Sequence, residues 1–227
     1  MQSFPIQPIP HSAKLNSSLR KTAFAAVFGT GLLLAAATSH AQIIYSGMVN
    51  LNIPTTTNGL YLNVVSGANN LPASTVGGTV PGWDINIWSA TGLGFFNPAG
   101  TSAVPPGAYV VTAPGFASNL SFGTSIGGTS TFGTGTSTNV AQWNLNSSNN
   151  LFGFQFIADG GTLHYGWGRI SLGATPGTAG RALVEYAFDL TPGMAIQAGV
   201  IPEPGTYALM GLGLAGLLLA TRRRKQA

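Results

Sequence analysis

The chain has 227 residues, of which 44% are hydrophobic and only 6% charged; it holds 32 glycines and 14 prolines, lacks cysteine, and carries a formal net charge of +4. The missing cysteine excludes a thiol nucleophile, a cysteine zinc site and an iron–sulfur cluster. The positive charge does not mark a nucleic-acid-binding surface: seven of the nine cations lie towards the two ends, and residues 42–200 hold two arginines against four carboxylates, a net charge of −2.

Residues 1–41 read as a secretory signal peptide. Lys14, Arg20 and Lys21 precede an apolar stretch from Ala23 to Ala37, and Ser39-His40-Ala41 supplies the small residues that signal peptidase needs before a cut between Ala41 and Gln42. The apolar stretch is short for a membrane span, so removal is favoured over retention. Export through the Sec translocon follows.

Residues 42–200 form the passenger, which is about one domain in size. Short runs of β-branched and aromatic residues are punctuated by Gly, Pro, Asn and Thr, and no helical period is sustained, so the expected class is all-β, an antiparallel β-sandwich or jelly roll. The expected strands cover 44–53, 60–65, 83–89, 108–112, 140–145, 151–158, 163–172 and 182–188. Alternation places Phe152, Phe154 and Phe156 on one face, and does the same for Trp83, Ile85 and Ile87 and for Val184, Tyr186 and Phe188. Asp159-Gly160-Gly161 reads as a hairpin turn, because glycine adopts positive φ without strain. Residues 112–139, rich in Gly, Ser and Thr, are expected to be a partly ordered loop and hairpin.

The passenger offers few groups for chemistry. His164 alternates with Tyr165 and Trp167 and reads as a hydrogen-bonded sheet residue. Glu185 and Asp189 share one strand region and can be solvated or paired with Arg169 and Arg181. No catalytic residue, metal or cofactor is expected, and the chain does not read as an enzyme. Sandwiches of this size do host sugar sites, for which Trp88, Trp143, Tyr165 and Trp167 are the candidate aromatic platforms.

The tail, residues 201–227, has three parts in order. Pro202-Glu203-Pro204 is stiff, since each proline fixes its own φ and drives the preceding residue to extended conformations. The 17 uncharged residues from Gly205 to Thr221 would make a single transmembrane helix of roughly 25 Å, near the short limit for a bilayer core. Arg222, Arg223, Arg224 and Lys225 then hold the far end in the cytoplasm. This arrangement resembles the PEP-CTERM sorting signal of Gram-negative bacteria. The resemblance implies that an exosortase recognises the motif at the inner membrane, removes the tail, and leaves the passenger at the cell surface or among extracellular polysaccharide. Leu151 to Phe156, His164 to Trp167 and Glu185 to Asp189 are also similar to a block recurrent in such exported proteins, with Phe188 and Asp189 in place of its Tyr and Glu. That block implies β structure and export, and no established activity. The expected function is therefore a structural protein of the cell surface or matrix, the alternative being a lectin-like carbohydrate-binding module.

Overall fold

A computed structural model describes residues 42–55, 57–71, 80–98, 107–113, 115–134, 136–138, 140–158, 160–177 and 180–201, all within a compact unit spanning residues 41–227. In chain order the first strands are β1 (Ile43–Tyr45), β2 (Leu51–Asn52), β3 (Leu60–Leu62), β4 (Asn69–Asn70), β5 (Ile85–Trp88) and β6 (Gly94–Phe96). There follow β7 (Ala108–Ala113), β8 (Phe116–Ala117), β9 (Ser125–Ile126), β10 (Phe132–Gly133) and β11 (Thr136–Thr138). The longest strands, β12 (Ser147–Ala158), β13 (Thr162–Leu172) and β14 (Ala182–Asp189), precede a short β15 (Ile196–Gln197). Among the described residues there is no α-helix, and the expected all-β, mainly antiparallel class holds.

The strands hydrogen-bond in the order β1-β14-β13-β12-β7-β8-β11-β6-β5-β3-β4, with β2 and β10 added beside β14 and β7. Among the described residues only the β8–β11 pair is parallel. This ladder curls over on itself. Phe95 of β6 and Phe152 of β12 are separated by three strands along the ladder, yet their ring centroids lie 5.0 Å apart. Their contact is made across the interior, where Leu60, Leu62, Ile85 and Ile87 from one half meet Phe154, Phe156, Ile170 and Phe188 from the other. The corner falls at β7 and β8, whose register shifts between Val111 and Ala113; such a bulge sharpens the local bend.

The meander of β12, β13 and β14 carries the densest packing. Its first turn has Gly160 and Gly161 at φ 89° and 77°, as the Asp-Gly-Gly signal requires. Phe152, Phe154 and Phe156 are all buried, each such side chain worth roughly 1.5–3 kcal/mol. Two of the rings occupy space vacated by glycine: a Cβ on Gly166 would lie 2.3 Å from Phe154 Cζ, and one on Gly168 2.4 Å from Phe152 Cζ.

The opposite face of the meander is covered too. Ile126 of β9 and Ile196 of β15, joined as a separate two-stranded pair, pack with Leu120, Phe132 and Ala198 over Tyr165, Trp167 and Ala187. The Gly/Ser/Thr-rich segment, expected as a partly ordered loop and hairpin, contributes very short strands to this ordered cover. Small residues suit these positions because they allow close approach within the cover and between cover and sheet: a Cβ on Gly127 would lie 2.7 Å from Ala195 Cβ, and one on Gly153 of β12 would lie 2.9 Å from Ile126 Cδ1.

Three local expectations are corrected. The run 44–53 is two strands, divided where Gly47 and Asn50 adopt φ 69° and 48°. The run 140–145 is a 3-10 turn over Val140–Gln142 followed by a bend, because the buried Asn150 side chain takes the place of a strand neighbour: its Oδ1 accepts from Asn144 N at 2.7 Å and its Nδ2 donates to Asn144 O at 2.9 Å. Val184 does not share the core face of Tyr186 and Phe188. A register shift pairs Arg169 with Glu185 and Ile170 with Leu183, so Val184 is the extra residue and Leu183 joins the core.

Candidate functional site

The outer face of β3, β5 and β6 is built by simple alternation. Leu60, Leu62, Ile85, Ile87 and Phe95 point inward to the core, which sends Tyr61, Asn86, Trp88 and Phe96 outward. Register then lines them up: Tyr61 faces Asn86 across one ladder and Asn86 faces Phe96 across the next. Trp83 lies just ahead of β5, so the strand alternation that would have grouped it with Ile85 and Ile87 does not reach it. It meets Tyr61 edge-on instead, with centroids 4.9 Å apart at 86°. Trp88 and Phe96 form a second aromatic pair, 6.1 Å apart and tilted by 44°.

Between these two pairs lies a pocket of about 200 Å³ lined by Asn58, Tyr61, Trp83, Asn86, Trp88 and Phe96. The Asn86 amide is 3% exposed and is held by donating from Nδ2 to the Asn58 carbonyl at 3.1 Å. Its backbone N–H donates to the Tyr109 hydroxyl. Gly59 makes this approach possible: at φ 96°, a Cβ there would lie 2.4 Å from Trp88 Cβ and 2.7 Å from Asn86 Nδ2. Burial raises the Tyr61 hydroxyl pKa above its usual value, keeping a neutral phenol at the pocket wall.

Of the four aromatic platforms expected from sequence, Trp88 alone lines this pocket. Trp143, Tyr165 and Trp167 are 5%, 4% and 0% exposed and present no free ring face to a sugar. Trp143 stacks on Phe95 with centroids 5.6 Å apart, Tyr165 stacks on Phe132 at 5.8 Å, and Trp167 lies beneath Tyr45 at 6.5 Å. The cover over the second face of the meander is the cause for the latter two. Tyr61, Trp83 and Phe96 escaped the sequence reading because alternation gives a side chain's face, while the register that groups three strands' side chains is set by pairing.

Arg169, Glu185, His164, Asp84, Asp189 and Arg181 each make structural bonds, although Asp189 Oδ2 is buried without a hydrogen-bond partner among the described residues. Arg169 Nε donates to Glu185 Oε1 at 2.6 Å, and the Tyr45 hydroxyl donates to the other oxygen at 2.5 Å. That hydrogen bond to a carboxylate raises the Tyr45 pKa, with burial adding to it. His164 bonds through Nδ1 to the Asp189 carbonyl and through Nε2 to Thr162 Oγ1, both at 2.9 Å. Asp84 Oδ2 accepts from Val64 N and Asp189 Oδ1 from Thr191 N. Glu185 and Asp189 are four residues apart on one strand, about 13 Å along it, which is too far for the paired carboxylates of a glycosidase at roughly 5–9.5 Å. Among the described residues Arg181 pairs with no carboxylate; its five N–H groups go to backbone carbonyls.

The fold is tied down at both of its described ends. Gln42 O accepts from Leu190 N at 2.9 Å, placing the first residue after the expected signal-peptidase cut beside the end of β14. At the other end Ala198 N donates to Thr124 O at 2.9 Å, and Val200 N to Gln197 O at 3.2 Å. Ala41 and the motif residues Pro202, Glu203 and Pro204 lie outside the described residues, as do the expected signal peptide and transmembrane helix. Among the described residues no helix is long and apolar enough to cross a membrane.

Against this geometry, residues 200–225 match the family described as the PEP-CTERM protein-sorting motif. The chain therefore carries a sorting signal of the exosortase class. That motif makes it an exported protein, sorted by way of the membrane and processed by an exosortase. No curated protein and no solved structure matches the chain.

Proposed function

We propose that the protein is a non-catalytic, structural component of the cell surface or extracellular matrix, a β-sandwich passenger delivered with a removable tail. The observation that carries this reading is the junction between fold and signal. The matched motif begins at Val200, and the last described tertiary hydrogen bonds, Ala198 N to Thr124 O and Gly123 N to Ala198 O, lie just before it. A cut within the motif leaves every described strand and both core clusters intact. The engagement of Glu185, Arg169, His164 and Arg181 in fold-holding bonds supports a structural role over an enzymatic one.

In this reading signal peptidase releases residues 1–41, the passenger folds outside the inner membrane, and exosortase reads Pro202-Glu203-Pro204 as a stiff extended segment. Changing Glu203→Ala together with Pro204→Ala removes the recognition segment and leaves the apolar run. The double variant is expected in the inner-membrane fraction, with the unaltered protein at the surface and trimmed at both ends by mass spectrometry. Equal surface delivery of the double variant with its tail intact overturns the proposal.

A further inference from the structure

We infer that the pocket on the outer face of β3, β5 and β6 is a binding site for a single neutral hexopyranose unit of a glycan. Its volume of about 200 Å³ is below the roughly 300–1,000 Å³ of pockets that take drug-sized ligands, which suits one ring. Tyr61 and Phe96 flank Asn86 in a cross-strand row, about 9.5 Å apart by two strand spacings. A pyranose has an apolar C–H face and an edge of hydroxyls. The site offers the same two chemistries: four aromatic rings, and the amides of Asn58 and Asn86.

Alternatives fit the lining less well. No charged side chain is among the described lining residues, so a phosphate or uronate carboxylate finds no counterion among them. A quaternary ammonium would use the rings, but it has no group to meet the two amides. Asn86 is buried and already oriented by its bond to the Asn58 carbonyl, and Gly59 fixes the turn that brings Asn58 over β5. Little side-chain entropy remains to be lost when a ligand hydroxyl binds there.

The site is independent of the export reading, because it lies wholly within the described residues of β3, β5, β6 and the segments just ahead of β3 and β5, and does not use the tail. The full chain, purified in a polyoxyethylene detergent that carries neither sugar nor choline, is applied to a glycan array and titrated by tryptophan fluorescence. The probes are glucose, galactose, mannose and N-acetylglucosamine oligosaccharides, with glucuronate and choline in parallel. Binding to at least one neutral oligosaccharide is expected, with affinity changing less than about twofold between low and high salt since no charge is involved. Trp88→Ala and Trp83→Ala should each weaken it about tenfold or more, the loss typical of a buried aromatic anchor. Phe96→Ala, at a residue already 37% exposed, supplies a variant outside the core, and Phe122→Ala, remote in sequence and 72% exposed, should leave binding unchanged. Retained near-ultraviolet circular dichroism identifies the folded variants. Absence of neutral-sugar binding by the folded wild type, equal binding by folded Trp83, Trp88 and Phe96 variants, or binding of choline or glucuronate alone overturns the inference. Failure of the sorting test leaves these outcomes readable, and the reverse also holds.

Discussion

Replacing Arg181 tests how the two halves of the ladder are held together. Its side chain is fully buried, and each of its five N–H groups has a backbone carbonyl acceptor. Nε donates to Ile53 at 3.1 Å. Nη1 donates to Pro176 at 2.5 Å and to Gly92, and Nη2 to Pro54 and Ser89, both at 2.6 Å. The segments after β2, after β5 and before β14 are thereby tied to one point. Burial lowers the guanidinium pKa from the usual arginine value. Lysine keeps the charge but has three donors, so Arg181→Lys strands at least two carbonyls. At about 1.5–3 kcal/mol for each charge-assisted bond, the expected loss is about 3–6 kcal/mol, a large share of the 5–15 kcal/mol typical of a domain. The assay is urea unfolding of a 42–201 fragment, followed by tryptophan emission. Since a domain of this size shifts by about 2–4 °C per kcal/mol, thermal melting should fall by roughly 6 °C or more. By contrast Arg169→Lys, which keeps a positive charge beside Glu185 and gives up at most the two bonds to Glu185 and Asn149, should cost less than Arg181→Lys. An Arg181→Lys fragment within about 0.5 kcal/mol of the parent, inside the usual range for surface substitutions, would refute the assignment of Arg181 as the tie.

Two further outcomes follow from the core. Gly168→Ala forces a methyl against the Phe152 ring, which is itself confined by Phe95 and Phe154 at 5.0 and 6.0 Å; a lowered urea midpoint worth about 1–3 kcal/mol is expected, and an unchanged midpoint would show that the ring has room to move. Tyr109, whose hydroxyl donates to Phe96 O at 2.5 Å, has its pKa pushed well above 10.0 by burial. The folded state then keeps a proton that the unfolded chain releases, so this contribution is complete below about pH 10 and is lost as pH rises further, at up to about 1.4 kcal/mol per pH unit. Tyr109→Phe should unfold less steeply between pH 10 and 11, as read from urea midpoints; Tyr45, Tyr61 and Tyr186, also raised, preserve some of the slope. Identical slopes for both proteins would count against this account.

The long strands were legible because their patterns are local. β12 announces itself with Phe at 152, 154 and 156, and the turn after it with Gly160 and Gly161, whose positive φ needs no distant partner. Short strands such as β6, β8 and β9 have too few residues for alternation to register, and they exist because neighbours supply hydrogen bonds. The bulge at Val184 was invisible for the same reason: it is defined by which residue of β13 lies opposite.

The sequence by itself determined the route and the class. A sorting motif acts as an accessible linear segment, so Val200 to Lys225 can be read without knowing the fold, and the scattered β-branched runs with glycine-rich turns exclude a helical architecture. Tertiary structure alone decided which aromatics are free. Trp143, Trp167 and Trp88 look alike in the chain, yet the first two are sealed by the facing half and by the β9–β15 cover, while Trp88 opens on a pocket completed by Tyr61, Trp83 and Phe96. Alternation along a strand assigns a residue to one of two faces; what lies on that face depends on chain segments tens of residues away, and burial, register and the five carbonyls around Arg181 are all fixed there.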